Sequence, residues 1–336
     1  MSREKFIKSF YLFGPSELDR KKIKTIAKYK TVTKSSNYDK DVEDNAVALL
    51  CLPDGIKQRS VDEADELKPL FHSFLVTKEN GFRVYGSALV VYDEIYDEQT
   101  KQSFYFSKAL CLVTELPFIH CTERILNYIW ANKCSIEIIK LICNVNLPTQ
   151  GRSLCLKLPD LSPDGHSSEL YTPFKRKTSL GGESRFNELK YTEQARFNDK
   201  KSRVRDPDDL SSIHIYAGTK SLPLFDYSLR YLFCEVLSVE NFLIAFTATL
   251  LEYQILITSS SLSRLMLVSE SLINLILPFK YQHVYAPILP SKLGLHYLDA
   301  PTPYIFGGFN RCVVECKPVK LSHLSFSLSY SNTQAF

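Results

Sequence analysis

LSVENFLIAFTATLLEYQILITSSSLSRL, residues 237–265, decides how the second half of the chain is read. Ser238 suits an N-cap with Glu240 in the first turn, and Val239, Phe242, Leu243, Phe246 and Leu250 recur at helical spacing, so a helix is predicted. Ile255–Thr258 follows as a short buried strand and Ser259-Ser260-Ser261 as a turn. Ser263 is then expected to cap a second helix, apolar at Leu265, Met266, Leu272, Ile273 and Ile276, which Pro278 ends. Val284–Leu289 is the next strand. Strand, helix and strand joined by short loops predict a right-handed parallel crossover, hence an α/β lobe over 221–310 with a mostly parallel sheet in three layers.

The first half has a different rhythm. AVALLCL (46–52), closed by Pro53-Asp54-Gly55, reads as a buried strand ending at a turn. In FHSFLVTKENGFRVYGSALVVYDEI (71–95), Asn80-Gly81 separates two β-rich runs and supplies the positive φ angles of a type I′ turn, which predicts a hairpin. Phe104–Thr114 gives a third strand. Helical spacing follows at Ile119, Ile125, Leu126, Ile129 and Trp130, and again at Ile136, Ile138, Ile139, Leu141 and Ile142. Residues 1–145 are therefore expected to form an α+β module of antiparallel sheet and two helices, the first of two modules in a chain of 336 residues.

Residues 146–220 read as a linker. Between Lys175 and Arg205 ten Lys and Arg stand against four acids with few apolar residues, so this insertion cannot bury enough area to offset its ordering entropy. Lys175-Arg176-Lys177-Thr178-Ser179 fits a basophilic kinase, with Ser179 as the acceptor, and the excess charge suits peripheral contact with an anionic membrane. Residues 311–336 run out in serines as a divergent tail.

Net charge of +4 is mild, and outside that insertion the positive charge is not gathered into one stripe, which argues against nucleic acid as a partner. Charges at Arg3, Glu4, Lys5 and Lys8 precede any apolar run, so no signal peptide opens the sequence. Nine cysteines, odd in number and set in apolar segments, match cytosolic usage as small hydrophobes. The sequence contains no P-loop, dinucleotide-binding glycine motif, nucleophile elbow or zinc-ligand spacing. Catalytic residues, metal and cofactor are therefore all expected to be none, and the protein is expected to act by binding. His283, between Gln282 and Val284, fits a hydrogen-bonded residue at a strand edge better than a catalytic group.

The segments CLPDG (51–55), FHSFLVTKENGFRVYGSALVVYDE (71–94), SKALCLVT (107–114), 237–265, LPFKYQHVYAPILP (277–290) and LDAPTPYIFGG (298–308) resemble, in order, the upstream and central parts of the tripartite DENN domain. QGRSLCLKLP (150–159) and SLPLFDYSL (221–229) are similar to segments of the subclass that also carries RUN and PLAT modules. The family's downstream part has no counterpart in 311–336.

The resemblance implies a longin-like first module and a larger α/β DENN lobe. It also implies guanine-nucleotide exchange on a Rab GTPase held between the two, in vesicle trafficking, by a cytoplasmic protein that visits Golgi or endosomal membranes. The alternative it leaves open is a Rab-binding scaffold without exchange activity. Contact with the GTPase is expected from the hairpin face, Lys78, Arg83 and Tyr85, and from polar positions at element ends: Asp226, Glu240, Asn241, Gln282 and Asp299.

Overall fold

The computed structural model describes residues 4–17, 19–31, 44–60, 67–77, 81–97, 102–149, 151–157, 191–195, 212–216, 218, 222–289, 298–309, 313–317 and 326–329. Lys78, Ser179 and the basic residues of 175–190 and 196–205 lie outside them. Along the chain run β1 (Ser9–Pro15), β2 (Ile23–Lys30), α1 (Asp44–Cys51), β3 (Gln58–Arg59), β4 (Leu70–Thr77), β5 (Arg83–Asp97) and β6 (Gln102–Thr114). Next come α2 (Ile119–Ala131), α3 (Ile136–Cys143), β7 (Arg152–Lys157), β8 (Tyr191–Ala195) and β9 (Ser212–Tyr216). A short α4 (Leu229–Tyr231) passes into a π-helical turn at Leu232–Val236. The remainder is α5 (Val239–Leu250), β10 (Gln254–Ser259), α6 (Leu262–Leu275), β11 (Val284–Leu289), β12 (Tyr304–Phe309), β13 (Val313–Lys317) and β14 (Phe326–Ser329). The content is mixed helix and strand. No single helix among the described residues is long and apolar enough to cross a membrane.

The chain divides into two units, residues 1–40, 56–70 and 89–224, and residues 41–55, 71–88 and 225–336. In the first unit the strand order is β2-β1-β6-β5, with β3 on β6, and β1 pairs antiparallel with both neighbours. β1 is buried on both faces, at Phe10 on one and at Tyr11 and Phe13 on the other, while α2 buries Thr122, Ile125, Leu126 and Ile129 at helical spacing. Phe6 meets Phe118 edge to face at 4.8 Å between centroids. Within the range read as a linker, β7 pairs antiparallel with β8 and with β9 and buries Leu154, Leu156, Ile213 and Ile215. Alternating apolar residues in β7 and β9 supply the buried face of this three-stranded sheet.

The second unit holds the hairpin of β4 with the first part of β5, together with α1, α5, α6 and a five-stranded sheet ordered β11-β12-β10-β13-β14. Two expectations change here. The expected strand at 46–52 is instead helix α1, in which Val47 and Cys51, four residues apart, are both buried. A seven-residue apolar run satisfies either period, and Ala and Leu favour the helix. The expected mostly parallel sheet is mixed: β11, β12 and β10 are parallel, whereas β13 and β14 add antiparallel to the β10 edge. β12 sits between β10 and β11, so the crossover through α6 skips one strand position.

The first helix of the opening stretch forms as predicted, and Ser238 Oγ accepts from the Asn241 N–H at 3.3 Å. The second helix starts one residue before Ser263, with Ser261 at the N-cap. Ser263 Oγ instead donates to the Phe71 carbonyl at 2.5 Å, tying α6 to β4.

Candidate functional site

α6 explains why the second unit has a polar centre. All residues from Leu265 to Ile273 are buried, so Glu270, in the middle of Ser269-Glu270-Ser271, is carried into the core by a helix apolar on almost every side. A buried carboxyl needs partners. Tyr285 Oη, from β11, donates to Glu270 Oε1 at 2.8 Å, and Asn274 Nδ2, one turn along α6, donates to Oε2 at 3.3 Å. The same amide donates to Tyr227 Oη at 3.4 Å.

Arg83 closes the cluster from the hairpin. Its guanidinium lies 4.9 Å from the Tyr285 ring centroid and reaches the Tyr281 carbonyl through a long hydrogen bond of 3.5 Å. Burial pushes the Glu270 carboxyl up to about 7, against the opposing pull of Tyr285, Arg83 and Asn274. Burial and the Glu270 charge raise the Tyr85 phenol well above its ordinary value. Tyr285 moves the same way for the same two reasons.

The eight proposed contact residues separate by surroundings. Arg83 and Tyr85, expected on an open hairpin face, are half-buried and take part in the Glu270 cluster. Lys78 lies outside the described residues. Asp226 is half-buried just before Tyr227. Glu240 is exposed in the first turn of α5, and Asn241 beside it supplies the capped N–H. Gln282 is exposed, with Nε2 donating to the Lys280 carbonyl at 3.2 Å, and Asp299 is exposed in a turn. Arg83 and the chain before Gln282 are brought together through Tyr281. No contact joins Glu240 or Asp299 to that group among the described residues.

Sequence reasoning passed over Glu270, although a lone acid flanked by two serines inside an apolar helical run is a visible signal. It also passed over the exposed apolar flank of α5, where Val239, Leu243 and Leu250 are 58%, 55% and 45% accessible. A helix that shows water this much apolar area beside an acidic first turn is suited to meeting another protein. His283 behaves as a peripheral residue, with Nε2 3.1 Å from Glu252 Oε1.

Among the described residues no three His, Cys, Asp or Glu side chains are grouped as metal ligands would be. The Glu270 cluster brings one carboxyl together with phenols, an amide and a cation, and ties the hairpin to α6 and β11.

Residues 34–91 match the uDENN domain, and residues 208–323 match the DENN (AEX-3) domain. The chain carries a uDENN and a DENN domain. The DENN match takes in α5, β10, α6, β11 and β12, and with them Glu270 and Tyr285. Among curated proteins, the chain is 48% identical over 87 residues to the DENN domain and WD repeat-containing protein SCD1 of Arabidopsis thaliana, which covers 26% of this chain and 7% of that protein. It is 37% identical over 90 residues to the elicitor of plant defense protein 1 of Fusarium odoratissimum, covering 27% of this chain and 9% of that protein. A DENN domain-containing protein of Schizosaccharomyces pombe is 37% identical over 82 residues, 24% of this chain and 8% of that protein. The matched stretches thus cover less than a tenth of the length of these relatives.

Proposed function

We propose that this chain is a guanine-nucleotide exchange unit for a Rab GTPase, working in vesicle trafficking. The observation that carries the reading is the succession of a uDENN and a DENN domain in one chain, since DENN domains in general serve as Rab exchange modules. Exchange needs no proton transfer or covalent step. It requires a surface that binds the nucleotide-free GTPase better than the nucleotide-bound one. A nucleotide held at picomolar affinity corresponds to about 16 kcal/mol, so the contact must be wide and must deform the switch loops.

The exposed flank of α5 with Glu240 and Asn241, together with Gln282 and Asp299, is the surface we assign to the GTPase. Arg83 and Tyr85 sit in the Glu270 cluster, where Arg83 reaches the Tyr281 carbonyl just before Gln282. The α+β first module is taken as longin-like, and the protein is taken as nearest the subclass with RUN and PLAT modules, a reading supported by the likeness of 150–159 and 221–229. A cytoplasmic protein held peripherally on Golgi or endosomal membranes, with Ser179 as a phosphate acceptor, completes the proposal.

Release of a fluorescent GDP analogue from a panel of Rab GTPases tests it. Acceleration on at least one Rab is expected, and simultaneous replacement of Glu240, Asn241, Gln282 and Asp299 by alanine should abolish it while leaving the melting temperature in place. Binding of a Rab without acceleration of GDP release on any would make the protein a scaffold instead.

A further inference from the structure

Positive charge gathers in the first unit at a place the composition of the basic insertion does not suggest. Arg20, Lys21, Lys22, Lys24, Lys28 and Lys30 fall in the β1–β2 turn and along β2, with Glu17 and Asp19 as nearby acids, at 3.8 Å from Lys24 and 3.7 Å from Lys22. β2 is the end strand of its sheet and, among the described residues, pairs only with β1. Ile26 is 47% accessible midway along it.

A register shift decides how the lysines are displayed. Tyr11 lies opposite Lys28 and Ser9 opposite Lys30, whereas the bulge at Leu12/Phe13 leaves Ile26 as the extra residue and puts Lys24 opposite Gly14. Because side chains alternate between faces, Lys28 and Lys30 share the face of Tyr11, and Lys24 takes the other. Lys28 Nζ sits 5.3 Å from the Tyr11 ring centroid, consistent with that assignment. Cations therefore flank the strand edge on both sides of the sheet.

We propose that β2 docks an acidic peptide in extended conformation, which adds to the sheet as a further strand. An added strand lies in the sheet plane and sends its own side chains alternately to both faces, so acids at neighbouring positions meet Lys24 on one side and Lys28 and Lys30 on the other. Backbone groups along the edge supply the hydrogen bonds, and the lysines select for negative charge. A planar bilayer would reach only one of the two sets.

The probe is an acetylated, amidated peptide Val-Glu-Glu-Val-Glu-Glu-Val, whose paired glutamates point to both faces, titrated against the full chain. Binding that weakens with salt and slows amide hydrogen exchange in β2 is expected. The charge-reversal pair Lys24→Glu and Lys28→Glu, on exposed positions, should weaken binding about fivefold with an unchanged melting curve. Two versions of the peptide, N-methylated at alternate residues in the two possible phases, separate strand addition from simple charge attraction. One phase should bind about tenfold more weakly, having lost edge hydrogen bonds. Equal binding of both phases overturns the proposal. So does failure of the peptide beside lysine-dependent capture by phosphatidylserine vesicles, which would make the patch a membrane contact. Binding of neither probe also overturns it and leaves the lysines as guards against unwanted strand pairing.

Discussion

Tyr285 on β11 donates a 2.8 Å hydrogen bond to Glu270 on α6, joining the parallel part of the five-stranded sheet to the most buried helix of the second unit. Glu270 has its carboxyl raised from the ordinary 4.5 to about 7, chiefly by burial. The folded state therefore holds the proton more tightly than the unfolded chain. This group's stabilising contribution is complete below about pH 4.5 and is lost as pH rises through about 7, a change on the order of 3 kcal/mol. Glu270→Gln keeps the shape, accepts from Tyr285 and cannot ionise. Urea unfolding at pH 5 and pH 8 should show the variant gaining on the wild type at pH 8, with the advantage shrinking towards pH 5. His72, buried and lowered in pKa by that burial, tilts the profile the other way below its ordinary 6.5. It is common to both proteins and cancels in the difference.

Arg83 is a cation whose charge acts on that carboxyl, and it lies over the Tyr285 ring. Arg83→Met retains much of the aliphatic stem and removes the charge. A loss of about 1–2 kcal/mol is expected at pH 8, where Glu270 is ionised, and less at pH 5, where it is protonated. In the Glu270→Gln background the cost should shrink at pH 8 and stay about the same at pH 5, where the carboxyl is already neutral. Denaturant midpoints for the four proteins of this cycle measure the coupling.

Two glycines mark close approaches with different remedies. A Cβ on Gly86 would lie 2.1 Å from Cζ of the buried Phe74 ring, and one on Gly307 would lie 1.7 Å from the Pro287 carbonyl oxygen. Gly86→Ala should cost about 1–3 kcal/mol and be partly rescued by Phe74→Leu, because the obstructing atom belongs to a side chain. Gly307→Ala presses on backbone where β11 and β12 slip register between Ala286 and Leu289, so no side-chain change nearby should rescue it. Thermal melts of the two single variants and the double variant distinguish these cases.

Ser238 caps α5 through the Asn241 N–H. Ser238→Ala is expected to lower stability by about 1 kcal/mol, and Ser238→Asp to restore most of it, since aspartate caps as well and favours the helix N-terminus. If α5 is the surface that meets the GTPase, GDP release in Ser238→Ala should fall only as far as fraying of the first turn displaces Glu240. Exchange assays at 10 °C below the variant's melting point, a margin of about that size being enough to keep the core folded, compare the two effects.

Much of the second unit was readable from the chain alone. Ser238, the apolar spacing from Val239 to Leu250, the serine turn and Pro278 are short-range signals, and α5, β10, α6 and β11 follow them within a few residues. The hairpin is equally local, with Gly81 at φ 79° as its turn requires. The candidate contact residues were less legible. Arg83 looks like an exposed hairpin cation until Tyr281 and Tyr285, some two hundred positions later, are folded against it. Ser263 looks like a cap until Phe71 offers its carbonyl.

The sequence by itself determined the order of helices and strands from residue 237 to 289 and the family likeness, because periodicity, caps and prolines act over one or two turns of chain. Only the tertiary structure decided that residues 44–51 coil rather than extend, that β12 enters between β10 and β11, and that Glu270 is buried with Tyr285 and Arg83 around it. Each of these depends on a neighbour far away in sequence. A short apolar run has no conformation of its own until that neighbour supplies the surface it must cover, and a carboxyl has no raised pKa until the surrounding elements remove its water.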